Sequence, residues 1–192
     1  MKKRIRLLCV IGLMVLILGA CNDEEEKVKI EDNMLTEYNQ KICFILSEVA
    51  NSNGFRNKGY FVMGDGAKYY FDLSEKGKKY ADIRYLHQYL EENILDFERE
   101  EYLSPEDAER CRFFLSDVDS KAEVKTETVY FDGEQIDFYG VRYVETMPEF
   151  VLLKGTGAVN KELSDKNVGA ILEILGEEWS CSSGIMNPSC LP

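Results

Sequence analysis

The feature that most constrains this chain is an uncharged apolar run near its N-terminus, which leaves those residues unsuited to a water-soluble fold. Four basic side chains lie within the first six residues, the apolar run covers residues 7–20, and residues 23–26 are all acidic. A transmembrane helix needs roughly 20 apolar residues, so this run is too short to span a bilayer. A core helix would show a polar stripe and end in a cap. The order of basic, apolar and polar segments instead predicts a secretory signal peptide.

The end of the apolar run carries a more specific pattern. Residues Leu18-Gly19-Ala20-Cys21 resemble the lipobox of bacterial lipoprotein precursors, in which small residues precede a cysteine. The resemblance implies that a diacylglycerol is attached to the sulfur of Cys21 and that cleavage makes Cys21 the first mature residue. Each buried CH₂ of an acyl chain contributes about 0.8 kcal/mol, so two chains anchor a protein durably. The expected location is the extracytoplasmic side of the cell membrane, through this lipid.

Three regions follow along the chain. Residues 1–20 are the predicted signal peptide and residues 21–30 a flexible charged tether. Residues 31–192 are expected to form a single soluble domain with an irregular C-terminal tail.

Removal of residues 1–20 leaves a strongly acidic chain. That segment holds four of the 23 basic residues and none of the 35 acidic ones, so 172 residues remain, with 19 basic and 35 acidic side chains and a formal charge of −16. Nucleic acid and anionic lipid headgroups are poor partners for such a surface, whereas cationic peptides, basic proteins or divalent cations are suitable ones. The alternative is that the charge only keeps an exported domain soluble. The hydrophobic content of 45% and the aromatic content of 11% argue against global disorder.

Four cysteines remain besides Cys21 and the signal-peptide residue Cys9, namely Cys43, Cys111, Cys181 and Cys190. Four cysteines allow three pairings. Cys181 and Cys190 bracket a short loop whose closure would contribute roughly 2–3 kcal/mol, so they are the candidate disulfide of an oxidising compartment. Cys43 and Cys111 are then the leftover pair. In an envelope without disulfides all four stay thiols. Their spacing resembles no zinc motif, and neither a metal nor another cofactor is expected.

The hydrophobic pattern predicts both helices and strands. Apolar residues at helical spacing and helix-capping signals predict helices over residues 34–49, 78–98, 104–118 and 164–175. Runs rich in β-forming residues predict strands over residues 58–63, 68–73, 123–131, 135–144 and 150–154. Hairpins in place of strand–helix–strand alternation indicate an α+β fold. The expected architecture is an antiparallel sheet of about five strands, built from hairpins and packed against about four helices.

No catalytic residue can be assigned from the sequence. His87 is the only histidine, and its place at the edge of an apolar stripe favours a packed structural role over a general base. The motifs of serine hydrolases, zinc peptidases, P-loop enzymes and dinucleotide-binding folds are lacking. With 35 acidic residues, a close carboxylate pair is almost inevitable, so paired-carboxylate hydrolysis stays open without support.

Tyr85 and Tyr89 are the candidate ligand-binding residues. They lie four residues apart on the helix predicted over residues 78–98, opposite its apolar stripe and among acidic side chains. Tyrosine rings attract cations and the hydroxyl tolerates water, so the combination suits a cationic or aromatic ligand. The alternative is that the helix beginning at Ser104 covers both rings.

The leading hypothesis is therefore a non-enzymatic binding or interaction module, held at the membrane and presenting an acidic face. One concrete form is capture of cationic peptides, functionally similar to lipoproteins that confer immunity to cationic bacteriocins, with which the chain shares architecture and charge but no motif. The first alternative is an extracytoplasmic hydrolase that uses paired carboxylates. The second is a structural subunit of an envelope complex, which an unusually large exposed apolar patch would favour.

Overall fold

The computed structural model describes residues 38–51, 54–128 and 134–176, and a compact unit of the chain begins at Gln40. The strands within these residues are β1 (Ile42–Ala50), β2 (Arg56–Met63), β3 (Ala67–Asp72), β4 (Arg99–Glu101), β5 (Val124–Thr128), β6 (Gln135–Val144), β7 (Met147–Thr156) and β8 (Val159–Leu163). They form one sheet in the order β4-β3-β2-β1-β6-β7-β8-β5. Every neighbouring pair is antiparallel.

The helices are α1 (Ile83–Glu92), α2 (Pro105–Asp117) and α3 (Lys166–Ile174), with short 3-10 turns at Lys78–Ala81 and Ile94–Asp96. The described residues therefore contain eight strands and three α-helices. The expectation of about five strands and four helices is wrong.

The central strand β1 contradicts the helix predicted over residues 34–49, of which residues 34–37 lie outside the described residues. It pairs with β2 on one side and with β6 on the other. Phe44 packs into the core on one face of the sheet and Ile45 into the core on the other. A strand that is covered on both faces lacks the alternation of polar and apolar residues, so its pattern can match a helical period by coincidence.

The long helix predicted over residues 78–98 is also wrong, because the chain breaks it twice. Asp82 has extended backbone angles and accepts a hydrogen bond from the backbone N–H of Arg84 at 2.9 Å, which makes it the N-cap of α1. Asn93 ends α1 with a non-helical ψ of 23°. The residues after the second 3-10 turn form β4 at the edge of the sheet.

The predicted start of α2 is confirmed. The Ser104 hydroxyl accepts a hydrogen bond from the backbone N–H of Asp107 at 3.1 Å, and Pro105 is the first helical residue. A serine cap of this kind contributes about 1 kcal/mol. The strand predictions lie close to β2, β3, β5, β6 and β7, and residues 129–131 of the prediction over 123–131 lie outside the described residues. Strands β4 and β8 were not predicted.

Each face of the sheet carries its own hydrophobic core. On one face, α2 and α3 pack over Phe44, Phe138 and Leu153. The rings of the two phenylalanines stack with their centroids 5.8 Å apart. On the other face, α1 packs over Ile45 and Phe61. Full burial of such a side chain contributes about 1.5–3 kcal/mol. The sheet thus separates an α2/α3 face from an α1 face.

Across residues 38–51, 54–128 and 134–176, no helix has the length and apolar character needed to cross a membrane.

Candidate functional site

A strongly acidic segment of the chain runs from the last turn of α1 to β4. Six carboxylates lie between residues 91 and 101, all on exposed residues, and we call them the acidic strip: Glu91, Glu92, Asp96, Glu98, Glu100 and Glu101. Arg99 is the one basic residue in this segment, and its guanidinium donates to Asp65 at 3.0 Å. Because β4 is the last strand in the sheet order, part of the acidic strip lies along an edge of the sheet. Its summed field favours cationic ligands.

The two candidate tyrosines are not equivalent. Tyr85 is 54% exposed, whereas Tyr89 is half-buried against the core of the α1 face and its ring centroid lies 4.9 Å from that of Tyr80. The Asp82 carboxylate is bound by the Arg84 guanidinium at 2.6 Å, which holds the pKa of Asp82 low, at about 2. Tyr89 is therefore mainly a packing residue. Tyr85 is exposed, but the residue directly before it is the basic Arg84. The alternative prediction, that the helix beginning at Ser104 covers both rings, is wrong, because that helix, α2, packs on the opposite face of the sheet.

A second group of tyrosines already uses ring–cation contacts within the fold. The Lys68 ammonium lies 4.2 Å from the ring centroid of Tyr60, 4.3 Å from that of Tyr102 and 5.1 Å from that of Tyr70. Such a contact contributes about 0.5–1 kcal/mol at an exposed site. Because Lys68 fills this cage, the cluster stabilises β3 and leaves little room for an external cation.

His87 is packed, as predicted, and it belongs to a hydrogen-bonded group. Its Nε2 lies 3.0 Å from the Tyr143 hydroxyl, which donates to the Glu91 carboxylate at 3.0 Å. The hydroxyl has one proton, so when it donates to Glu91 it accepts from His87 Nε2–H. His87 is 3% exposed, and burial lowers its pKa. The neutral imidazole therefore helps to hold α1 against the β6–β7 hairpin.

Glu48 is the carboxyl group most relevant to the hydrolase hypothesis. It is 5% exposed on β1, and its pKa is raised by burial and also by the adjacent Glu134 carboxyl group. The Lys58 ammonium lies 3.3 Å from it, and the neighbouring carboxylate of Glu134 is bound by Arg56 at 2.9 Å. Each carboxylate thus has its own cation, as in a structural ion-pair network, whereas a catalytic pair must exchange protons with a substrate. This geometry does not favour paired-carboxylate hydrolysis.

Cys43 and Cys111 lie in the core of the α2/α3 face as free thiols. Burial raises the pKa of each thiol to about 12, which makes both unreactive near neutral pH. The leftover disulfide considered for these two residues is not formed. The candidate pair Cys181 and Cys190 and the lipidation residue Cys21 lie outside the described residues.

The described ranges place no group of three or more His, Cys, Asp or Glu side chains where it could hold a metal ion. Comparison with family models, with curated proteins and with solved structures finds no match. The acidic strip is the feature of the described residues on which a binding role can be based, because exposed carboxylates favour positively charged ligands. The sequence shows these charges, but only the structure places β4 at the sheet edge.

Proposed function

We propose that this chain is a lipoprotein anchored through Cys21 to the extracytoplasmic side of the cell membrane, and that its domain is a non-enzymatic module that binds cationic peptides or basic proteins. The lipobox-like residues 18–21 support the anchor. The acidic strip carries the binding role, because it concentrates exposed negative charge on one segment.

The magnitude of exposed ion pairing determines what kind of cation can bind. One exposed pair contributes about 0.2–1 kcal/mol, so six pairs together give about 1–6 kcal/mol. Millimolar affinity corresponds to about 4 kcal/mol. A single lysine is therefore bound negligibly, whereas a peptide with several basic residues reaches useful affinity. Confinement of both partners at a membrane surface increases the effective concentration further.

Binding of a synthetic oligolysine peptide to the purified protein tests the proposal. The strip variant neutralises three carboxylates at the sheet edge: Glu98→Gln, Glu100→Gln and Glu101→Gln. The control variant removes the same charge from exposed positions outside the acidic strip: Glu109→Gln, Glu123→Gln and Glu127→Gln. We expect the strip variant to bind roughly tenfold more weakly at low salt, at about 0.5 kcal/mol per lost pair, and the control to change much less.

Salt provides a second arm of the test. Binding should largely disappear near 1 M salt, where the Debye length falls to about 3 Å. Tyr85→Ala should weaken binding a few-fold through the loss of an exposed ring, and Tyr89 is left unchanged because it packs against the core. Salt-independent binding, or equal losses in both triple variants, would contradict the proposal. So would a strip variant that only self-associates through its edge strand and still binds the peptide normally.

A further inference from the structure

The turn between β6 and β7 carries exposed apolar side chains. Val144 is 60% exposed and Met147 is 71% exposed, and the two residues face each other in the strand register. Glu145, in the turn between them, has a φ of 60°, a left-handed conformation that non-glycine residues seldom adopt. Neither apolar side chain belongs to a core of the domain. The hairpin thus presents two apolar side chains to the surroundings.

This hairpin tip lies beside the residues at which the compact unit begins. The Lys41 ammonium is 5.4 Å from the ring centroid of Tyr143, and the Tyr143 hydroxyl oxygen lies 3.4 Å from the backbone oxygen of Ile42. Tyr143 directly precedes Val144. The end of the domain that contains Gln40 is therefore also the end from which the apolar tip extends.

A third apolar residue follows the last turn of α1. Glu91, whose carboxylate binds the Tyr143 hydroxyl, is followed four residues later by Leu95, which is 95% exposed. We call the end of the domain that contains the β6–β7 tip the Gln40 pole, defined by Lys41, Tyr143, Val144 and Met147. The acidic strip begins there, at Glu91.

Along the chain, Gln40 is the first residue of the compact unit after the proposed lipidation site. Residues 21–39 lie between the lipidation site and Gln40, and 19 residues reach at most about 65 Å at roughly 3.3–3.6 Å per residue. A lipid on Cys21 would keep the pole within that distance of the bilayer. Docking of the tip is then intramolecular, so even a weak apolar contact can be populated.

The chemistry of the pole fits the membrane interface better than bulk water. Aliphatic side chains at its tip can enter the boundary between headgroups and acyl chains. Lys41 lies behind them, and a lysine can place its apolar stem in lipid and its ammonium at the headgroups.

We propose that the Gln40 pole docks onto the lipid surface and inserts the β6–β7 tip into the bilayer interface. This proposal rests on the lipid anchor of the proposed function. It deepens that function, because docking brings the start of the acidic strip to the membrane surface, where a cationic peptide that is attracted to the bilayer arrives.

Lipid-borne quenching of a single tryptophan tests the docking. The full lipidated chain is reconstituted into vesicles of zwitterionic phosphatidylcholine with brominated acyl chains, on a Trp179→Phe background that removes the only native tryptophan. Met147→Trp places the reporter at the tip. Val159→Trp is the matched control, because Val159 is 40% exposed and follows the opposite end of β7. Val144→Trp is a second tip reporter if Met147→Trp folds poorly.

We expect emission from the tip reporter to fall at least about twofold in brominated vesicles, because interfacial insertion brings it about 5–10 Å into the headgroup and acyl boundary. Emission from position 159 should not change. Equal quenching at both positions overturns the docking, as does no quenching at the tip.

Flotation of the same vesicles, with Cys21→Ser as comparison, separates this result from the anchor. A protein that floats without quenching at the tip retains its anchor and refutes only the docking. A wild-type protein that does not float overturns both proposals.

Discussion

Replacement of Asn57 by leucine tests how the layer on the α1 face is held to the sheet. Asn57 lies on β2 and is fully buried. Its Nδ2 donates to the backbone oxygen of Tyr80 at 2.6 Å, and its Oδ1 accepts from the Ser47 hydroxyl at 3.1 Å. One amide therefore joins β1, β2 and the 3-10 turn that precedes α1. Leucine has a similar volume but can make neither bond.

The expected cost follows from these two bonds. Each net hydrogen bond contributes about 0.5–1.5 kcal/mol, and a buried partner left without a bond costs about 1–3 kcal/mol. The apolar gain of leucine offsets part of this, so we expect Asn57→Leu to lower the free energy of unfolding by about 3 kcal/mol. Ser47→Ala removes only one bond and should cost about 1 kcal/mol.

Urea denaturation followed by circular dichroism measures both values. The double variant of Asn57 and Ser47 should be less than additive, because the two side chains bond to each other. A stability of Asn57→Leu within about 0.5 kcal/mol of wild type, the range of an ordinary surface substitution, would refute the reasoning. It would mean that packing alone holds this layer.

Three further substitutions test the packing and the titration of the domain. In Gly59→Ala the new Cβ would lie 1.9 Å from the backbone oxygen of Leu46, so urea denaturation should show a loss of about 3 kcal/mol or a failure to fold. In Gly140→Ala the nearest atom, at 2.3 Å, is the end of the Leu115 side chain, which can move, so the loss should be about 1 kcal/mol; equal losses would contradict this distinction. Burial lowers the pKa of His87, so stability should decrease as the pH falls from about 6.5 towards that lowered pKa, where mainly the unfolded histidine binds the proton. His87→Gln should reduce this slope in a series of urea titrations at different pH, and an unchanged slope would show that other groups cause it.

The local signals that the structure confirms depend on a few neighbouring residues. Ser104 and Pro105 start α2 through a cap and a fixed φ, which need no tertiary contact. A tight turn at residues 64–66 joins β2 and β3, which match the strands predicted over residues 58–63 and 68–73, and Gly66 supplies the positive φ of 87° that the turn uses.

The errors arise where distant residues decide the structure. β1 becomes a strand because β2 and β6 pair with it and cores cover both of its faces, none of which its own pattern records. β4 depends on pairing with β3, and β8 on pairing with β5. Such short strands lack a periodic signal of their own.

The candidate site was predictable to a similar extent. The exposure of Tyr85 follows from its position on an amphipathic helix. The burial of Tyr89 does not, because the ring that packs against it comes from Tyr80 in the preceding 3-10 turn. Glu48 could not be placed in an ion pair while β1 was assigned to a helix.

The anchoring of the acidic domain through Cys21 is tested most directly by mass spectrometry of the N-terminal peptide of protein isolated from membranes. The proposed processing predicts that the chain begins at Cys21 and carries a diacylglycerol thioether on its sulfur. An N-terminus at any other residue, or an unmodified Cys21 in the membrane-bound protein, would contradict it.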